Sequence, residues 1–80
     1  MKLPVIKKLV ENYSVEDLQA AEEALLSELE PVIPVEGDDE GEKLTHILAA
    51  VFIIGEMKEK GSDYLSALRA YTSRVRTSIS

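Results

Sequence analysis

The sequence predicts an all-α fold: a compact four-helix, bundle-like domain spanning residues 1–80 and centred on a hydrophobic third helix. Three observations carry this expectation. Apolar residues recur at three- and four-residue spacing in four separate segments. Capping residues or a proline stand at the start of those segments, and a proline or glycine closes two of them. No stretch alternates apolar and polar residues with period two, so no strand is expected.

The first helix begins at Pro4, a residue favoured in the first turn because its missing N–H has no partner there. Val5, Ile6, Leu9, Val10 and Tyr13 form its apolar stripe, and Asn12-Tyr13-Ser14 breaks it. Ser14 caps the second helix, with Asp17 three residues on as a variant of the capping box. Its inward stripe is Leu18, Ala21, Leu25 and Leu29, its wet side carries glutamates, and Pro31 is expected to end it. The prolines of Pro31-Val32-Ile33-Pro34-Val35 forbid helix, so these residues read as an extended strap whose three apolar side chains lie over the core. The acidic run from Glu36 to Glu42 suits the positive N-terminal end of a third helix, about Asp39 to Lys60, closed by Gly61. A fourth helix follows a Ser62/Asp63 cap with the stripe Tyr64, Leu65, Leu68, Tyr71, Val75 and Ile79. Arg69, Arg74 and Arg76 lie outside that stripe.

The third helix is apolar on nearly every side from Leu44 to Gly55. A surface helix needs one apolar stripe, so a helix apolar all round must be covered all round. Steps of about 100° per residue group Leu44, Ile47, Leu48, Val51, Phe52 and Gly55, which are assigned to the intrachain core. The opposite arc holds His46, Ala49, Ala50, Ile53 and Met57. These five are the candidate interface residues, with small Ala49 and Ala50 allowing a second helix to approach. The alternative is that the strap or the first helix covers this arc within one chain. Eighty residues without cysteine have neither disulfides nor thiolate metal sites to supplement a small core, which leaves oligomerisation as the expected source of extra burial.

The net charge of −6 disfavours non-specific binding to nucleic acid or to an anionic membrane. The charge is also segregated. Residues 9–42 hold 12 acids and no Lys or Arg, whereas the rest holds 9 bases and 3 acids, so −12 and +6 make the total of −6. Two readings stay open: an acidic solvated helix beside more basic ones, or complementarity between subunits. The apolar run of the third helix is too short for a membrane span, which needs about 20 residues, and Pro4 with two lysines breaks any signal-peptide pattern. The expected protein is cytoplasmic.

Motifs for chemistry fail on inspection. Aligning Gly41 with the invariant glycine of an EF-hand places Glu36, Asp38 and Glu40 on ligand positions, but Ile47 stands where the bidentate glutamate belongs. Lys43, not Glu, stands three residues before the single His46, which removes the helical di-iron pattern. A carrier-protein serine would follow an Asp, whereas Ser62 precedes Asp63 and reads as a helix cap. The four glycines match no nucleotide-binding loop. The arginines of the fourth helix lack an aromatic platform. No catalytic, cofactor-binding or metal-ligating residue is assigned, and no cofactor is expected.

The opening Met1-Lys2-Leu3-Pro4-Val5-Ile6-Lys7 resembles the start of a small bacterial family of uncharacterised helical proteins. The similarity continues through the third helix into Ala67–Ile79, where an arginine and a terminal Ser-Ile recur, and the Pro31–Pro34 strap departs from it. The resemblance implies a small, helical, bacterial, cytoplasmic protein and no site residues. The expected function is non-enzymatic association, as a homodimer or as an adaptor for a larger protein. The alternative is a binder of a small apolar ligand in a cavity lined by Leu48, Phe52 and Tyr64, with His46 and a tyrosine as polar contacts.

Overall fold

The computed structural model describes residues 2–79, with side chains through Val75. Among the described residues there are four helices, α1 (Leu3–Asn12), α2 (Val15–Leu26), α3 (Glu40–Lys60) and α4 (Tyr64–Ile79), and no strand. At about 1.5 Å per residue the 21 residues of α3 span roughly 32 Å. The other three helices each pack chiefly against α3. The result is a compact body of 32 × 28 × 19 Å around a central post.

Local chemistry sets most boundaries. Pro4 lies in the first turn of α1, and Tyr13 leaves the helix in extended conformation while its N–H still reaches Leu9 O at 3.1 Å. Ser14 then caps α2 through a complete capping box: Asp17 N–H donates to Ser14 Oγ, and Ser14 N–H donates to Asp17 Oδ2, both at 3.2 Å. Asp39 caps α3 by accepting from Glu42 N–H at 2.7 Å. Glu40 and Glu42 in its first turn and Lys58 and Lys60 in its last complement the helix dipole. Gly61, at φ 61, closes α3 in the left-handed conformation that costs glycine least. Asp63 caps α4 by accepting from Ser66 N–H at 2.8 Å. The cap is thus Asp63 and not Ser62, whose hydroxyl is enclosed without a hydrogen-bond partner.

The second helix ends four residues before its expected stop. Glu28, at φ 61, takes the left-handed position usually given to glycine. Glu28 N–H reaches Leu25 O at 3.1 Å and Leu29 N–H reaches Ala24 O at 2.7 Å, the paired bonds of a Schellman ending. The chain therefore turns away before Leu29, which is 65% exposed instead of continuing the inward stripe.

The strap that follows alternates, as an extended chain must. Ile33 and Val35 pack against the core, while Val32 faces outward, so two of its three apolar side chains do the covering. Its end lies hard against the start of α3: a Cβ on Gly37 would stand 2.9 Å from Lys43 Cγ and 3.0 Å from Lys43 N. Only glycine allows that approach without displacing α3.

Two apolar clusters flank α3. Val5 and Leu9 of α1 join Leu18, Ala21 and Leu25 of α2 around Ile47, Ala50 and Ile54. Ile6 of α1 joins Ala67 of α4 around Ala49 and Ile53, with Phe52, Met57, Tyr64, Leu68 and Tyr71 partly buried beside them. In α4 the inner line therefore centres on Ala67, which the expected stripe omitted, and Leu65 is 55% exposed. Val75 is exposed as well. The side chains of Arg76 and Ile79 lie outside the described residues.

Candidate functional site

Two features of α3 emerge from this packing: a buried histidine junction on its inner side and an uncovered apolar face on its outer side. Four of the five candidate interface residues, His46, Ala49, Ala50 and Ile53, are fully buried within the chain, and Met57 is half-buried against the second cluster. This corrects the assignment of that arc to a second subunit. The cover comes from α1 and α4 over Ala49 and Ile53, and from α1 and α2 over Ala50. Ala49 and Ala50 project only methyl groups, so the neighbouring helices come close, and Ile6 and Ala67 fill the space around Ile53. The role of Ala49 and Ala50 in admitting a close helix survives, but the helices admitted belong to the same chain.

His46 shows how a polar group is tolerated there. A backbone N–H only donates and a carbonyl only accepts, so two contacts fix its tautomer. Lys2 N–H donates to His46 Nε2 at 2.9 Å, and His46 Nδ1–H donates to Glu36 O at 2.8 Å. Lys2 is the N-cap residue of α1, a helix without a side-chain cap. The imidazole therefore fastens three segments together: the start of α1, the end of the strap and the first turns of α3. With both nitrogens held by backbone, the ring presents neither a free lone pair nor a spare proton to a substrate. Lys2 adds a looser link, its ammonium 3.5 Å from Asp38 Oδ1 and 3.8 Å from Glu42 Oε1. The exposed pair with Asp38 contributes little, whereas the Glu42 side chain is only 21% exposed and its Oε1 is enclosed without a hydrogen bond.

Three of the five acids of the 36–42 run have a local partner, and a fourth, Glu36, contributes its backbone carbonyl. Asp39 caps α3, Asp38 and Glu42 face Lys2, and the Glu36 carbonyl holds His46. The described residues contain no group of three His, Cys, Asp or Glu arranged to hold a metal ion. Two titratable groups at the start of α4 are displaced from their ordinary values. The Ser66 backbone N–H holds the Asp63 carboxyl below the usual carboxylate range, with the Ser66 hydroxyl and the Arg69 charge acting the same way. Burial pushes the Tyr64 phenol up, with the charge of Glu11 adding to it, and its enclosed hydroxyl has no hydrogen-bond partner.

The outer face of α3 is assembled from residues assigned to the core. Leu48 is 45% exposed and Gly55 is exposed, with open space within 4 Å of where its Cβ would stand. Leu44 and Val51, which border them on one side, pack partly against the cluster shared with α2. Phe52 borders them on the other side and packs partly against the cluster shared with α4. Its ring lies 5.6 Å from that of Tyr71, and the Arg74 guanidinium stands 5.5 Å above it. The apolar face is therefore a strip between α2 and α4, opposite α1. Of the residues expected in the core, Ile47 is buried there, but the helix is turned so that Leu48 and Gly55 face out, because the close approach that Ala49 and Ala50 permit is used by helices of the same chain and not by a second subunit.

The clefts bordering the strap lie elsewhere. They hold about 150 Å³ beside Val5, Leu9 and Pro34, 330 Å³ beside Pro31 and Val35, and 280 Å³ beside Ala20 and Ile33. Leu48, Phe52 and Tyr64 line none of these three, and Leu48 faces outward, so the expected ligand cavity is not formed by those residues.

Fold and surface together define a small all-α protein whose long central helix is clasped on three sides and open on the fourth. The chain belongs to a family of unknown function, DUF6952, whose model matches residues 1–80. No match to the chain is found among curated proteins or among solved structures. No helix among the described residues is long and apolar enough to cross a membrane.

Proposed function

We propose that this chain is a non-enzymatic association domain that docks through the outer face of α3. The carrying observation is the strip of Leu44, Leu48, Val51 and Gly55, which is exposed at Leu48 and Gly55 and only partly covered at Leu44 and Val51, although it belongs to the most apolar stretch of the sequence. A helix on a soluble surface gains from charged residues there, and α3 itself carries Lys58, Glu59 and Lys60 one turn further on. Contiguous apolar surface on a small protein is characteristic of an interaction site. The engaged nitrogens of His46 support the same reading, since the one residue suited to acid–base work near neutral pH serves as a fastener.

Native mass spectrometry of the protein isolated gently from the cells that make it tests this. The expected result is a protein–protein assembly that Leu48→Glu dissolves, with no small molecule in fixed stoichiometry. A small molecule that remains bound through isolation and is released on denaturation would instead establish the ligand-binding alternative.

A further inference from the structure

We infer that the occupant of the outer α3 face is a second copy of this chain, seated in parallel register so that α2 of each protomer faces α4 of the other. This rests on the association reading above and names its partner. The first support is spacing. Leu44, Leu48, Val51 and Gly55 follow one another by four, three and four residues, the alternation of a two-stranded helical seam. The strip ends in charged residues on both sides, Glu40 before it and Lys58 and Glu59 after it. It is therefore a short seam about three turns long, suited to one partner helix of similar length. Open space over Gly55 lets a partner backbone approach at one end, and Leu48 projects as a knob nearer the other.

The second support is charge, and it chooses both the partner and its direction. The strip is flanked by helices of opposite sign. Helix α2 carries Glu16, Asp17, Glu22 and Glu23 with no base, formally −4. Helix α4 carries Arg69, Arg74 and Arg76 with no acid, formally +3, or +2 with its capping Asp63, whose charge Arg69 already faces. Both lie chiefly on α3, which stands between them. A two-fold axis running along α3 sets each α2 against the α4 of the other copy, acid against base. An axis running across α3 sets α2 against α2 and α4 against α4, like against like. Only the first is self-complementary, so the charge layout specifies a copy of the same chain with α3 parallel to α3.

The ends of α3 do not reverse this choice. Glu42 already faces Lys2 at 3.8 Å, Lys60 already pairs with Glu56 at 3.3 Å, and Glu59 offsets Lys58. An antiparallel pairing would gain little from them. The flanking charges determine direction and encounter rate more than affinity. The affinity comes from burying Leu44, Leu48, Val51 and the edge of Phe52, which makes a modest dimer at micromolar protein concentration.

Sedimentation velocity over a micromolar concentration series, joined to cross-linking of single-cysteine variants, tests the proposal. The wild type should pass from monomer to dimer across the series, and Leu48→Glu and Leu48→Gln should remain monomers with the circular dichroism spectrum of the wild type. The chain has no cysteine of its own. Leu48→Cys and Gly55→Cys should therefore each cross-link to themselves with a short bis-maleimide, as a parallel seam requires. Raising salt from about 0.05 to about 0.5 M should weaken the dimer several-fold, because the flanking charges become screened within a few ångströms. A wild-type monomer throughout would overturn the proposal. If such a monomer binds a different protein in a Leu48-dependent manner, the association reading stands and only the second copy is lost. Cross-linking only in a mixture of the two cysteine variants would overturn the parallel arrangement, and a dimer indifferent to both Leu48 substitutions would overturn the face.

Discussion

The two sides of α3 differ in a way that apolarity alone does not explain. The inner side, around His46, Ala49, Ala50 and Ile53, includes a polar ring and two of the smallest side chains, yet it is wholly buried. The outer side, around Leu44, Leu48, Val51 and Gly55, has two leucines and a valine, yet it stays open or half-open. Burial here follows from how near another helix can come and from whether each polar atom finds a partner. Ala49 allows α1 and α4 to approach, Ala50 allows α1 and α2, and the imidazole is satisfied at both nitrogens by backbone. A leucine such as Leu48 would hold a neighbouring helix at a greater distance, and here it stays 45% exposed.

This contrast is broken most severely at Ile53. Replacing it with Asp would place a carboxylate at a site with no exposure and no partner, between Ile6 and Ala67. The expected cost is about 4 kcal/mol or more, enough to unfold a domain of ordinary stability. Urea titration followed by circular dichroism should show the helical signal lost without denaturant. A folded Ile53→Asp monomer would mean that the inner side is not the core.

His46→Ala comes next. It removes the acceptor for Lys2 N–H, the donor to Glu36 O and the ring volume together. Two hydrogen bonds at about 1 kcal/mol each and a residual cavity give an expected loss of about 3 kcal/mol. The loss should be spread unevenly. Hydrogen exchange should rise first in α1 and in residues 33–38, the two segments that the ring fastens, and least in the middle of α3. A uniform rise would show that His46 contributes bulk alone.

Tyr64 packs against the inner cluster near Ile53, and its effect is smaller and depends on pH. Its enclosed hydroxyl lacks a partner, so Tyr64→Phe should be neutral or stabilising by up to about 1 kcal/mol at neutral pH. Burial raises the phenol above its ordinary value, so in alkali the unfolded chain ionises before the folded one. Wild-type stability from this group is intact below about pH 10 and is lost as pH rises through that value towards the raised one. Melting temperatures taken from about pH 9 to about pH 11 should therefore fall less for Tyr64→Phe than for the wild type. Equal falls would mean that the hydroxyl reaches solvent.

Most of the architecture is legible in the residues, because it is written in local chemistry. Pro4, the Ser14/Asp17 box, Asp39, Gly61 and Asp63 act within three or four residues of themselves, and the four helices follow from them. The end of α2 is not legible, because a glutamate occupies the left-handed position where glycine is the usual sign, and Leu29 is misassigned as a consequence. The rotation of α3 is not legible either. All its arcs are apolar, so periodicity carries no contrast, and the deciding partners are remote: Lys2 lies 44 residues from His46. The same remoteness hides the junction, since nothing near His46 in the chain announces a backbone N–H from α1. The centre of α4 is missed for a related reason: Ala67 is too small to weigh in an apolar stripe, and its smallness is what allows α4 to pack closely.

The smallest expected effect belongs to the outer side and decides the comparison. Leu48 is 45% exposed, so an isolated chain leaves much of its side chain in water already. Leu48→Gln keeps a side chain without β-branching and the good helix propensity of that position while removing the apolar tip. The monomer should change by no more than about 0.5 kcal/mol, the range typical of surface substitutions. Measured in dilute solution, where no partner is engaged, the denaturation midpoints of variant and wild type should then coincide. Measured in concentrated solution, the wild type alone should gain stability, since a partner that binds only the folded chain raises its apparent stability by mass action. A large loss at every concentration would place Leu48 in the core after all and remove the contrast between the two sides. Coincident midpoints at every concentration would keep the contrast but leave the outer face without a second copy to cover it.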